Sequence, residues 1–136
     1  MSYSNVFIKV SEDCPASQGE IPTAKRDAVP AHVIQYELLT EHPYQFGHED
    51  LVYAVYVRQK GIPEAVLATD ADAIRAELFS KGHPCLRASS LTKRYGFGAH
   101  YNEAGKIALY PVESPEYQAF MQNDAVRKLP AMRNKK

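Results

Sequence analysis

The sequence predicts a single α+β domain with a small, mostly antiparallel sheet and about three helices. Three observations point there. The chain has 136 residues, 45% hydrophobic and 24% charged, which suits one packed core and excludes global disorder. Strand-like and helix-like stretches interleave irregularly, with no βαβ repeat. Residues 97–112 read as a hairpin, the signature of antiparallel pairing.

Taken in order, Val6-Phe7-Ile8-Lys9-Val10 is a β-branched run that reads as a first strand. Residues 11–29 hold Pro15, Gly19 and Pro22 with few large apolar side chains, and read as a loop. Pro30 suits a first helical position, and Ala31, Ile34 and Leu38 recur at helical spacing, predicting a helix near 31–41. Residues 51–57 are rich in Val and Tyr and bounded by Gly47 and Gly61, so they read as a strand, although Glu49-Asp50 could equally open a helical turn. A second helix is expected near 70–81, capped by Asp70, with Ala71, Ile74 and Leu78 on one face and Gly82 with Pro84 ending it. In the hairpin, residues 99–101 and 106–110 flank the loop Asn102-Glu103-Ala104-Gly105. Ser114-Pro115-Glu116 then supplies an N-cap, a first-turn proline and an acid, opening a helix near 114–123 with Tyr117, Phe120 and Met121 inward. Residues 127–136 read as a basic, mobile C-terminal tail of one domain spanning 1–136.

The start of the chain lacks a basic segment followed by a long apolar one, and no apolar run approaches the ~18 residues of a membrane helix. Cys14 and Cys85 sit in different contexts without a Cys-x-x-Cys pair. These features predict a cytoplasmic protein with two free thiols and no membrane partner.

Sixteen basic and sixteen acidic side chains cancel, which argues against polyanion binding over the whole surface. The cancellation is uneven along the chain. Residues 1–80 carry six basic and twelve acidic side chains, net −6, whereas residues 81–136 carry ten and four, net +6. One localised basic site is therefore compatible with zero net charge, unless the two halves neutralise one another in the fold.

The basic half concentrates its chemistry between Lys81 and His100. Arg87, Lys93 and Arg94 could hold an anionic, phosphate-bearing group, with Tyr95 and His100 shaping the edge. This predicts a binding domain for an anionic small molecule, with no cofactor and no metal site. A second reading, from a different class, is a small enzyme with Cys85 as nucleophile and His83 or His100 as base, the nearby cations favouring a thiolate. A third is a structural protein that self-associates through some of its nine tyrosines. Arg94-Tyr95-Gly96-Phe97-Gly98 partly matches the basic–aromatic–glycine pattern of RNA-binding sheets. The match fails where a glycine should follow the basic residue, so nucleic acid is not the expected partner. Ser90-Leu91-Thr92-Lys93 has Ser-x-x-Lys spacing but none of the elements that accompany it in penicillin-binding enzymes. His83, Cys85, His100 and Cys14 offer zinc-type ligands without the paired short spacing of zinc sites.

Four stretches together carry a family resemblance. They are Phe7-Ile8-Lys9-Val10-Ser11-Glu12-Asp13-Cys14-Pro15; Gln35-Tyr36-Glu37-Leu38-Leu39; residues 79–88, which include Gly82-His83-Pro84-Cys85-Leu86-Arg87; and Leu91-Thr92-Lys93-Arg94-Tyr95-Gly96-Phe97-Gly98-Ala99-His100, which continues into Ile107-Ala108-Leu109-Tyr110 and Val112-Glu113-Ser114. The chain resembles a family of small single-domain microbial proteins known as a domain of unknown function. The resemblance implies a stand-alone domain and brings no activity, substrate or catalytic residue with it.

Overall fold

The computed structural model describes residues 3–23 and 29–134. Its elements run β1 (Val6–Lys9), α1 (Ala31–Glu41), α2 (His48–Lys60), α3 (Glu64–Leu78), a 3-10 turn (Leu86–Ala88), α4 (Ser90–Lys93), β2 (Phe97–Tyr101), β3 (Ile107–Pro111), α5 (Pro115–Gln122) and β4 (Arg127–Pro130). The result is an α+β domain around one four-stranded sheet of order β3-β2-β1-β4. Two of its pairings, β1 with β2 and β2 with β3, are antiparallel; β1 with β4 is parallel, so the sheet is mixed.

Alternation along the strands divides the core in two. Val6 and Ile8 of β1, Ala99 and Tyr101 of β2 and Ile107 of β3 face Ile34, Leu38 and Leu39 of α1 and Leu51 and Val55 of α2. Phe7 points to the other face, where it meets Tyr117 and Phe120 of α5 and Val126. Each large side chain buried this way contributes roughly 1.5–3 kcal/mol. The register pairs Val6 with Tyr101 and Phe7 with His100, so neighbouring residues His100 and Tyr101 belong to opposite faces.

The hairpin forms as its turn chemistry predicts. The Asn102 side-chain carbonyl accepts from the Ala104 and Lys106 amides, and Gly105 supplies a left-handed φ of 79°. Ser114 caps α5 through its hydroxyl, accepting from the Tyr117 amide, with Pro115 following. The helix near 31–41 is found at Ala31–Glu41, with Pro30 one residue outside as its cap.

Three expectations are corrected. Residues 51–57 are not a strand but the centre of α2. Glu49 and Asp50 open that helix, Arg58 and Lys60 close it in accord with its dipole, and Gly61 ends it in the left-handed conformation at φ 60°. Those end signals, with Leu51 and Val55 one turn apart on the buried face, outweigh the β preference of Val and Tyr. The helix expected near 70–81 begins earlier, at Glu64 after Pro63, which leaves Asp70 in its interior, and it ends at Leu78. Finally, the expected mobile tail is ordered through Asn134. Arg127–Pro130 pairs with β1, and Ala131 is buried with its amide donating to the Lys9 carbonyl. Lys135 and Lys136 of that tail lie outside the described residues.

Among the described residues no helix is long and apolar enough to cross a membrane. Two of the four ion pairs there, Lys106–Asp50 and Arg133–Glu12, join the basic half of the chain to the acidic half. The halves therefore interleave in part.

Candidate functional site

The segment from His83 to Arg94 is held by a buried polar knot. Pro84 favours extended backbone at the residue before it, which keeps the chain from resuming a helix after Leu78. Ser89 caps α4 by accepting from the Leu91 amide, and its hydroxyl donates to the Gln35 side chain of α1 at 2.7 Å. Thr92, fully buried, donates through its hydroxyl to the Leu86 carbonyl, tying α4 to the preceding turn. Leu86 and Leu91 are buried beside it. Arg87, Lys93 and Arg94 thus project from a rigid base.

All three basic residues meet the C-terminal segment. Arg87 donates through Nε to the Pro130 carbonyl at 2.8 Å, and its own carbonyl accepts from the Met132 amide. Arg94 donates through Nε to the Asn134 side-chain oxygen at 3.0 Å, while the Asn134 amide group donates to the Lys93 carbonyl at 2.8 Å. Asn134 is itself seated on the Asp13 carboxylate by backbone and side-chain donors. Among the described residues neither Arg87 nor Arg94 forms an ion pair with a carboxylate.

The remaining sequence-nominated residues are distributed around this base. Tyr95 stacks on His32 of α1 with ring centroids 5.1 Å apart, and burial lowers the His32 pKa. His83 donates from Nε2 to the Leu78 carbonyl at 2.6 Å. Cys14 and Cys85 are free thiols, both half-buried. The Cys85 sulfur lies 3.6 Å from the Tyr3 hydroxyl, and Arg87 adjoins that hydroxyl. Burial and Cys85 raise the Tyr3 pKa, while Arg87 pulls it down. His100 is on the opposite face of the sheet from this group, since its neighbour Tyr101 faces Tyr3 and Leu86. Among the described residues no three His, Cys, Asp or Glu side chains gather as a metal site would require.

Two clefts flank Pro84. One of about 280 Å³ lies between α1, α2 and the end of α3, lined by Val52, Val55, Leu78 and His83 among others. The second, about 220 Å³, runs along α1 past Cys85 and is lined by His32, Gln35, Ser89 and Ser90. Pro84, Ala31 and Gln35 border both.

A polar cluster on the α5 face was not nominated from sequence. The Tyr44 hydroxyl lies 2.9 Å from His100 Nδ1 and 2.8 Å from the Tyr110 hydroxyl, and His100 stacks on Phe120 at 4.3 Å. Tyr44 has a left-handed φ of 61°, uncommon for a bulky residue, and its amide is held by the Ile107 carbonyl. Burial, then the hydrogen bond to Tyr110, pushes the Tyr44 phenol far up, so it stays protonated. Alternation in the hairpin places His100 and Tyr110 on one face, but Tyr44 arrives from the α1–α2 loop, which no local pattern announces. Tyr3 and Tyr101 were likewise missed beside Cys85.

Comparison with known proteins gives a family. A model described as a family of unknown function (DUF6157) matches residues 1–136. No curated protein and no solved structure matches the chain.

Proposed function

For a chain that belongs to this family of unknown function, we propose a cytoplasmic binding domain that holds an anionic, phosphate-bearing small molecule at Arg87, Lys93 and Arg94. One observation carries the reading. Arg87 and Arg94 each spend Nε on an uncharged acceptor of the same C-terminal segment, and neither is in an ion pair among the described residues. Anchoring through Nε leaves terminal N–H groups for phosphate or carboxylate, more so at Arg94 than at Arg87, whose guanidinium also hydrogen-bonds the Tyr3 hydroxyl. The two anchors, Pro130 and Asn134, are four residues apart, at most ~14 Å along extended chain.

Tyr95 and His100 leave the proposed site, the first stacked on His32 and the second across the sheet. The test is a thermal-shift screen of phosphorylated small molecules, run on the natural chain and on Arg87→Ala/Arg94→Ala. The reading requires at least one compound that raises the natural chain's melting temperature and leaves the double variant's unchanged. Equal shifts in both proteins, or none in the natural chain, would refute it.

A further inference from the structure

The cleft of about 280 Å³ between α1, α2 and the end of α3 is walled by Val52, Val55, Leu78 and Pro84, with the Tyr56 side chain beside them. None of the described residues lining it is an aspartate, glutamate, lysine or arginine, although such residues make up 24% of the chain. A charged occupant would lose its hydration there without meeting a counter-charge, so the cleft suits a neutral molecule. Three further side chains supply its amide and imidazole groups, each already oriented by one hydrogen bond. His83 Nε2 lies 2.6 Å from the Leu78 carbonyl, which can only accept, so the ring proton sits on Nε2 and Nδ1 is left as an acceptor. The Phe79 ring packs edge to face on that imidazole at 5.6 Å and holds its plane. Gln59 Nε2 donates to the Val29 carbonyl, leaving its own side-chain carbonyl, and Gln35 accepts from Ser89, leaving its amide N–H groups.

We propose that this cleft binds a neutral aromatic molecule of one or two fused rings that carries an N–H donor. The volume lies just under the ~300 Å³ at which drug-sized sites begin, which sets the ring count. The ring lies against the apolar walls and the Tyr56 side chain, and its N–H donates to His83 Nδ1. Helix α3 gains most from the occupant. None of its residues is fully buried, and its last residue, Leu78, is a wall of the cleft. A bound ring supplies apolar contact that this helix lacks. None of Arg87, Lys93 and Arg94 is among the described residues lining the cleft, so the site is independent of anion binding.

The full chain, labelled with ¹³C at its Ile, Leu and Val methyl groups, is titrated with indole and followed by NMR. The signals of Val52, Val55 and Leu78 are expected to move and saturate with one dissociation constant, while those of Leu91 and Val126, buried elsewhere, stay in place. 1-Methylindole, which lacks the N–H, should bind about fivefold more weakly. Benzoate, a single ring bearing a negative charge, should not saturate the site. Val52→Phe, which fills the cleft from a half-buried position, should melt as a folded chain and lose indole binding. Shifts that never saturate, or that spread equally to Leu91 and Val126, overturn the proposal without recourse to any variant. So does benzoate binding as tightly as indole, or equal affinity for indole and its methylated form. A folded Val52→Phe that still binds indole overturns it as well.

Discussion

The Nε–H of Arg87 donates to the Pro130 carbonyl at 2.8 Å, closing the turn before α4 onto the end of the last strand. Nearly the whole domain lies between β1 and its parallel partner β4, and the C-terminal segment is the piece that both the sheet and the basic residues depend on. Leu129 and Ala131 pack into the larger core cluster from this segment.

Removal of residues 127–136 should therefore abolish cooperative folding. It strips the β1 ladder of one side and unroofs a core in a molecule whose total stability is expected to be only ~5–15 kcal/mol. Circular dichroism melting of the truncated chain checks this. A sharp transition at an unchanged temperature contradicts it.

Two glycines should respond differently to alanine. A Cβ at Gly98 would overlap the Phe7 ring and approach Tyr117 to 2.7 Å in the smaller core cluster, whereas one at Gly61 meets nothing within 4 Å and is opposed only by φ 60°. Gly98→Ala should cost ~1–3 kcal/mol or more through overpacking, and Gly61→Ala about 1 kcal/mol through backbone strain. Urea denaturation of the two variants gives the order, and a reversed order contradicts the packing.

Much of the fold was legible where the signals are local. Asn102 and Gly105 announce the hairpin, and Ser114 with Pro115 announces α5, because turn and cap chemistry act within a few residues. At α2, Val52, Tyr53 and Val55 favour strand while Glu49, Arg58 and Gly61 favour helix, and a core partner in α1 decides between them. Strand β4 was hidden because Arg127-Lys128 looks like a solvated run, and its partner lies 121 residues upstream at Val6. In an edge strand such charges also discourage pairing with another chain. The candidate site was legible as a segment rather than as a constellation. Arg87, Lys93 and Arg94 share the C-terminal anchor, while strand alternation turns His100 away from Cys85, and Tyr3 enters from far upstream.

Tyr44→Phe tests the cluster on the α5 face. Loss of the hydroxyl leaves His100 Nδ1 and the Tyr110 hydroxyl without their shared partner and should cost about 1–2 kcal/mol. A urea midpoint equal to that of the natural chain contradicts this.

Acidification should weaken the fold before carboxylates titrate. Burial lowers the pKa of His32, His48 and His100, so the folded chain takes these protons less readily than the unfolded chain. Their contribution is complete above the unfolded value near 6.5 and is lost as pH falls below it. The urea midpoint should drop between pH 7.5 and pH 5.5, and drop less in His100→Gln. A midpoint that rises on acidification contradicts the assignment.

The central claim is that Arg87 and Arg94 form one anion site. The most direct test is a titration of the ¹⁵N-labelled chain with inorganic pyrophosphate, following the arginine Nε–H signals by NMR. The account predicts that the Arg87 and Arg94 signals move together and saturate with one dissociation constant, while those of Arg58 and Arg75, already paired with Glu37 and Asp50, stay in place. Non-saturating shifts, or equal shifts at all four arginines, would contradict it.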